Sequence, residues 1–373
     1  MLLYFLIIME KQSDPNQIFE NLTKRVERAA KPVEPIYRTL AARLGVGEFA
    51  PALQMLMLLA TPEQARLVEA LPDPNRPESA GKGLDVSEKL AECLGMRIET
   101  AEIHIRELYE KGLLFPSKKG PQMARTFIQL KDATLGNPNF DRLNGAAYLD
   151  LWALLEGPMK KPLLSEMMEH PEMRIIPRWR SIEIVPGVMP FEDTRAILKS
   201  HDTIALIPCG CKRSHIERWC GIPTESCIAL GRTAEYNLER GVGKRLTCEQ
   251  ALELLNKFDE HPTVHTTVNR RDVNQLICNC HYCCCASVRL AGKSRFIAEN
   301  RDEDCISCGD CVDKCQYDAI TMKTYQGIDG EVACVDPDTC RGCGSCVVTC
   351  TASSLTMKMV RPLEHIPENF SIY

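Results

Sequence analysis

Two stretches near the C-terminal end repeat one spacing of cysteines. The first reads Cys305-x-x-Cys308-x-x-Cys311-x-x-x-Cys315. The second, 35 residues later, reads Cys340-x-x-Cys343-x-x-Cys346-x-x-x-Cys350. Two-residue gaps wrap the backbone around one centre and aim three thiolates at three irons. In runs of this kind the fourth cysteine ligates the other cluster. Gly309, Gly342 and Gly344 lie between the cysteines, where they permit tight turns and let amide N–H groups face the sulfides. The chemistry such runs would do is one-electron transfer on thiolate-held iron–sulfur clusters. Zinc and disulfides are the competing readings, and a doubled four-cysteine pattern argues against both. Cys334 falls outside both runs and reads as a buried strand cysteine.

A second cysteine system lies upstream. Cys209-Gly-Cys211-Lys-Arg-Ser-His215 is followed by Cys220 and Cys227, and about 50 residues further on by Cys278-Asn-Cys280-His281-Tyr-Cys283-Cys284-Cys285. Neither patch has the spacing of the C-terminal runs. A Cys-x-Cys pair puts two thiolates on one side of an extended segment, whereas three adjacent cysteines in a strand cannot all face one metal. The preferred reading is at least one further iron–sulfur centre, built jointly by these nine cysteines. A redox-active thiol pair, a zinc site and structural cysteines are the alternatives. His215, His265 and His281 are further candidates as ligands or proton relays. Lys212 and Arg213 beside Cys211 would lower thiolate pKa values and raise a cluster's potential.

Residues 297–358 resemble bacterial two-cluster ferredoxins. The resemblance implies one [4Fe–4S] cluster on Cys305, Cys308, Cys311 and Cys350, and a second on Cys340, Cys343, Cys346 and Cys315. Ala319-Ile320 and Ser354-Leu355 match the family's turn into a strand. One feature departs: Gln316 and Thr351 stand where the family carries proline after each fourth cysteine. More broadly, residues 175–358 resemble a family of uncharacterised 4Fe–4S proteins of anaerobic bacteria and archaea. The match rests on Cys209, Cys211, Cys220, Cys227, Cys278, Asn279, Cys280 and Cys283 to Cys285. That likeness implies clusters and an anaerobic setting, but no particular reaction.

Twenty cysteines in 373 residues could mark a disulfide scaffold. Such scaffolds are small and secreted; this chain is long, and 19 of its cysteines lie between Cys209 and Cys350. Metal ligation in a reducing cytoplasm is the expectation. The apolar run Met1–Met9 is shorter than the ~20 residues a bilayer span needs and lacks the flanks of a signal peptide, so no transmembrane span is expected. From Ala291 onward there are eight Lys/Arg and thirteen Asp/Glu; the rest of the chain is balanced. The net charge of −5 therefore belongs to the cluster-bearing end. That favours a redox partner with a basic docking surface and disfavours nucleic acid there.

These residues need elements to hold them. Residues 16–71 read as helices, with a capping box and first-turn proline at Thr61-Pro-Glu-Gln64. Residues 72–83 read as a turn-rich linker. Asp85–Leu94 and Ile98–Lys111 read as two helices, the second ended by Gly112. Leu113–Leu130 is expected to form two strands around a turn at Ser117–Gly120. Helix, turn, helix and hairpin together resemble a winged-helix domain. The second helix carries Glu99, Glu102, Glu107 and Glu110, so protein docking or scaffolding suits it better than DNA. Further on, Asn144–Leu155 reads as a helix with Trp152 in the core, Arg180–Val185 as a strand, Glu192–Ser200 as a helix, and Thr203–Pro208 as a buried strand. Thr247-Cys-Glu-Gln250 opens another helix.

The expected fold class is α+β and multidomain. A helical region and linker occupies 1–83, a winged-helix-like domain 84–135, an α/β cysteine-rich middle domain 136–290, and a two-cluster ferredoxin fold 291–373. No glycine-rich dinucleotide fingerprint follows a strand. The expected function is electron transfer. The alternatives are an oxidoreductase with the nine-cysteine patch as active site, and a redox-sensing regulator that uses the winged helix.

Overall fold

The computed structural model describes residues 24, 32–74, 86–117, 120–137, 151–152, 171–214, 221–285, 288, 290–325 and 330–369. The chain divides into two compact units. One comprises 1–161 with 208–218, the other 162–207 with 219–373.

The first unit is mainly helical: α1 (Pro35–Arg43), α2 (Ala50–Leu59), α3 (Pro62–Ala70), α4 (Val86–Leu94), α5 (Ile98–Lys111), then hairpin β1 (Leu114–Ser117) and β2 (Gly120–Met123), then α6 (Phe127–Leu135). The capping box at Thr61 forms as expected. Its side chain accepts from Gln64 N–H, and the Gln64 side chain accepts from Thr61 N–H. Gly112, left-handed at φ 90°, stops α5. One core joins all these pieces through Leu40, Leu56, Leu67, Leu90, Leu108, Leu114, Met123 and Leu130. Trp152 lies in that core, 4.5 Å from the Phe127 ring. The hairpin is shorter than expected: β2 ends at Met123, and the segment meant to continue it is α6. Thr126 caps that helix by accepting from Gln129 N–H. The signal was Thr126-x-x-Gln129, a second capping pattern whose local hydrogen bonds outcompete strand pairing. Lys118, Lys119, Asp85 and most of 144–155 lie outside the described residues.

The second unit contains β3 (Met173–Ile175), α7 (Trp179–Ile182), α8 (Thr194–Lys199) and β4 (Ile204–Pro208). The chain then visits the first unit through α9 (Gly210–Ser214) and returns with β5 (Glu225–Leu230), α10 (Gly231–Glu239), β6 (Lys244–Leu246), α11 (Cys248–Lys257), β7 (Val264–Val268) and β8 (Leu276–Cys280). The six strands form one sheet in the order β3-β7-β8-β5-β4-β6. Neighbours β3/β7, β7/β8, β8/β5 and β4/β6 run antiparallel. Ile197 and Leu198 of α8 and Leu255 of α11 bury against Ile204, Ile228 and Ile277 of the sheet. The expected strand at Arg180–Val185 is instead α7 followed by a turn. Ile182 is 2 % exposed and Ile184 86 % exposed, and Val185 N–H closes back on the Ile182 carbonyl. No sheet edge pairs with this short stretch, and Pro177 and Pro186 bound it.

The C-terminal part of that unit carries β9 (Phe296–Asn300), α12 (Asp310–Asp313), β10 (Ile320–Thr324), β11 (Glu331–Val335), α13 (Ser345–Thr349) and β12 (Leu355–Met359). β9 pairs antiparallel with β12, and β10 with β11. Each cysteine run therefore leads through a short helix into a strand of a two-stranded ribbon, twice over. Phe296, Ala298, Ile320, Ala333, Leu355 and Met357 form the core, and Ile182 of α7 joins it. Cys334 stands on β11 but is half-buried rather than buried. Content is thus mixed helix and strand, with a ferredoxin-like C-terminal end. Among the described residues, no helix is long and apolar enough to cross a membrane.

Candidate iron–sulfur centres

The two C-terminal runs sit on irregular backbone between short elements. Gly309 and Gly344 are the left-handed N-caps of α12 and α13. Glycine is required at two positions. Gly342 (φ 72°) has no room for a Cβ, which would strike the Phe296 carbonyl and Ser294 hydroxyl. A Cβ on Gly344 (φ 74°) would strike Ser181 of α7. The helix replacing the expected strand thus walls the second run, and Arg178 N–H donates to the Cys343 carbonyl at 2.9 Å.

The thiols of the two runs act on one another across the runs. Cys311 is pushed up to about 11 by burial, with the negative ends of Cys308, Cys305 and Cys350 adding to the shift. Cys315 is raised by burial and then by Cys343 and Cys340, against N–H groups of Tyr317 and Ala319 that lower it. Cys346 is raised well above its ordinary value by burial, then by Cys343, Cys340, Cys315 and Cys311. Cys315, Cys340, Cys343 and Cys346 line one indentation together with Tyr317 and Ala319. Backbone N–H groups aim at the sulfurs, for instance Ala319 N–H onto Cys315 Sγ at 3.3 Å. Burial works to raise Cys350, but the Ser354 hydroxyl and the N–H groups of Leu355, Ser354 and Ala352 leave its net shift downward. This donor set suits thiolate-ligated clusters: soft sulfur ligands, amide N–H groups placed to share the charge, and a recess lined from both runs. Among the described residues, no three His, Cys, Asp or Glu side chains group closely enough for a single metal ion.

The two runs differ in depth. Cys308 is exposed and Cys305 half-buried, with Ile306 beside them 63 % exposed. Cys340 and Cys346 are buried. Arg178 is 2 % exposed, and burial lowers it to about 10 although Cys343 works to raise it. Its guanidinium pairs with Asp259 and donates to the Thr263 carbonyl at 2.8 Å and the Ser345 hydroxyl at 3.1 Å. A cation this close to Cys343 favours the reduced, more negative state of a group held there.

The upstream cysteines fall in different places. Cys209 (buried) and Cys211 (half-buried) belong to the first unit at α9. The cation at the Cys211 sulfur is Lys131 of α6, 3.9 Å away, which the sequence reading missed. The neighbouring Arg213 turns to the Leu135 carbonyl. Cys220 and His215 lie outside the described residues. In the second unit, Cys227 of β5 meets Cys278 of β8 at 3.8 Å, and Cys280 meets Cys285 at 3.3 Å. Cys278 is raised well above its ordinary value by its hydrogen bonds to Cys227 and Cys280 and by burial. Cys283, Cys284 and Cys285 form a turn rather than a strand, so their side chains diverge. Cys283 goes to His281 Nδ1 at 2.9 Å, Cys284 to the His281 carbonyl, and Cys285 to Cys280. His265 is fully buried on β7, where burial and then the charge of Arg178 hold it down to about 3. It is a neutral core residue beside Asn279, its register partner on β8.

A family model described as a 4Fe-4S dicluster domain matches residues 304–354, a span that includes all eight cysteines of the two runs. No curated protein and no solved structure matches the chain. The match supports a ferredoxin-like C-terminal domain, 4Fe–4S cluster binding and an iron–sulfur electron-transfer role.

Proposed function

We propose that this protein is a one-electron carrier with two [4Fe–4S] clusters at its C-terminal end. Cys305, Cys308, Cys311 and Cys350 hold cluster one; Cys340, Cys343, Cys346 and Cys315 hold cluster two. The observation that carries the reading is a shared recess: Cys315 of the first run lines it together with Cys340, Cys343 and Cys346 of the second. Bound there, each cluster supplies a one-electron couple. The exposed Cys308 edge makes cluster one the port to a partner with a basic docking surface, in the cytoplasm of an anaerobic cell. A further thiolate centre belongs to the 209–285 region.

The division 1–83, 84–135, 136–290 and 291–373 stays part of this proposal, with a winged-helix-like second segment used for docking rather than DNA. Its α5 helix is engaged by α3 and α2: the Gln64 side chain of α3 donates to Glu107, and Lys111 donates to the Leu59 carbonyl of α2 at 3.0 Å. Ile98 and Ile103 on the same helix stay exposed, 43 % and 52 %.

Anaerobic purification of the full chain and of Cys350→Ser and Cys315→Ser variants tests the cluster assignment. Each variant is expected to lose about four irons and one EPR signal, a different one in each case. Loss of the same signal in both, or of none, would sink the crossed assignment.

A further inference from the structure

Four of the upstream thiols in the second unit lie together in one array. Cys227 meets Cys278 at 3.8 Å and Cys280 meets Cys285 at 3.3 Å, sulfur to sulfur. β-pairing builds it. Cys278 and Cys280 are two apart on β8 and so share a face, while Cys227 comes from the neighbouring strand β5. The turn after β8 folds Cys285 back, its N–H on the His281 carbonyl at 3.0 Å. Cys227, Cys280 and Cys285 are 8 %, 5 % and 4 % exposed. Four soft donors in a water-poor place select an iron–sulfur cluster or zinc over harder metals.

The array's surroundings decide between those two. Gln316, which follows cluster-two ligand Cys315, donates from Nε2 to the Cys280 carbonyl at 3.3 Å and accepts from Tyr282 N–H. The next residue, Tyr317, lines the recess that holds the cluster-two cysteines. Its hydroxyl is tied to the Val288 carbonyl, three residues beyond Cys285, at 3.2 Å. A structural zinc has no need of a bridge into a redox recess. Gln316 stands where two-cluster ferredoxins carry proline, and proline has no side-chain donor with which to make this tie.

We propose that Cys227, Cys278, Cys280 and Cys285 hold a third iron–sulfur centre, and that Gln316 and Tyr317 couple it to cluster two at Cys315. This rests on the two-cluster reading above and narrows its nine upstream cysteines to four. A cluster held by these thiols would exchange one electron with cluster two, with no bond made or broken. The electron comes from a low-potential one-electron carrier protein docked at Cys308. Gln316 and Tyr317 are positioning residues.

The test compares the anaerobically purified full chain with Cys278→Ser, Cys285→Ser, Cys209→Ser and Gln316→Leu variants, reading iron, acid-labile sulfide, zinc and EPR. The expected result is ~12 irons in the parent and ~8 in Cys278→Ser and Cys285→Ser, a drop of one third, with Cys209→Ser unchanged. Gln316→Leu should keep all its iron but slow electron equilibration between the third signal and cluster two several-fold after flash photoreduction. About eight irons in parent and variants alike, or zinc in the array, overturns the third centre and leaves the two-cluster reading standing. Equal loss in Cys209→Ser overturns the four-thiol assignment. An unchanged rate in Gln316→Leu overturns the coupling. Fewer than eight irons in the parent strikes the two-cluster reading itself.

Discussion

Single residues set the chemistry here through burial and close fit. His265 shows the cost of placing a titratable group in a core. Burial, with Arg178 nearby, depresses it to about 3, so the folded state stays neutral where an unfolded histidine, with a pKa of ~6.5, takes up a proton. Above that value both states are neutral and His265 costs nothing. Between about 6.5 and 3 the unfolded state binds the extra proton, and stability falls with pH by up to about 1.4 kcal/mol per unit. Thermal unfolding of wild type and His265→Asn across that window should show a flatter acid limb in the variant. Parallel limbs would show that His265 is not held neutral.

At the scale of elements, the short pieces around the cysteine runs are anchored by buried polar ties. Glu192, in the turn before α8, is 1 % exposed. It pairs with Arg295, just before β9, at 2.9 Å, and also accepts from Met189 N–H at 3.0 Å. Arg295 in turn donates to the Arg361 carbonyl just after β12. One ion pair therefore joins the α8 region to both strands of the β9/β12 ribbon at one end. Removing one charge from a buried pair leaves the other uncompensated, at a cost of about 3–5 kcal/mol. Glu192→Gln should lower the unfolding midpoint by an amount matching that loss. A shift of under about 1 kcal/mol would mean that water reaches the pair.

For the whole molecule, the charge is lopsided: the excess of acid lies from Ala291 onward. Asp302, Glu303 and Asp304 form a turn directly before the Cys305 run, so an acidic turn leads into the exposed Cys308 edge of the proposed cluster one. Electron transfer to a basic partner should slow as salt shortens the Debye length from about 30 Å at 0.01 M to about 8 Å at 0.15 M. Stopped-flow association rates at several ionic strengths would measure this. Neutralising Asp302, Glu303 and Asp304 together should reduce the salt slope; an unaltered slope would place docking elsewhere.

Local chemistry was legible in the residues themselves. The doubled cysteine spacing pointed to thiolate-held clusters, and Thr61, Thr247 and Gly112 marked helix ends, because ligand runs and caps act over three or four residues. What needed tertiary structure was every pairing across distance. Alternation at Ile182 and Ile184 reads as a strand until no sheet edge pairs with it, and the stretch becomes the helix that walls Gly344. The upstream patches look like one nine-cysteine system along the chain, yet strand register sets Cys227 beside Cys278, and the visit of 208–218 to the first unit places Cys209 and Cys211 with Lys131. Gln316 was visible only as a missing proline. Its hydrogen bond to Cys280, 36 residues away, depends on where the sheet ends and the cluster-bearing loop begins. Spacing along the chain determines which thiols can share a short turn, while burial and strand pairing decide which distant ones meet.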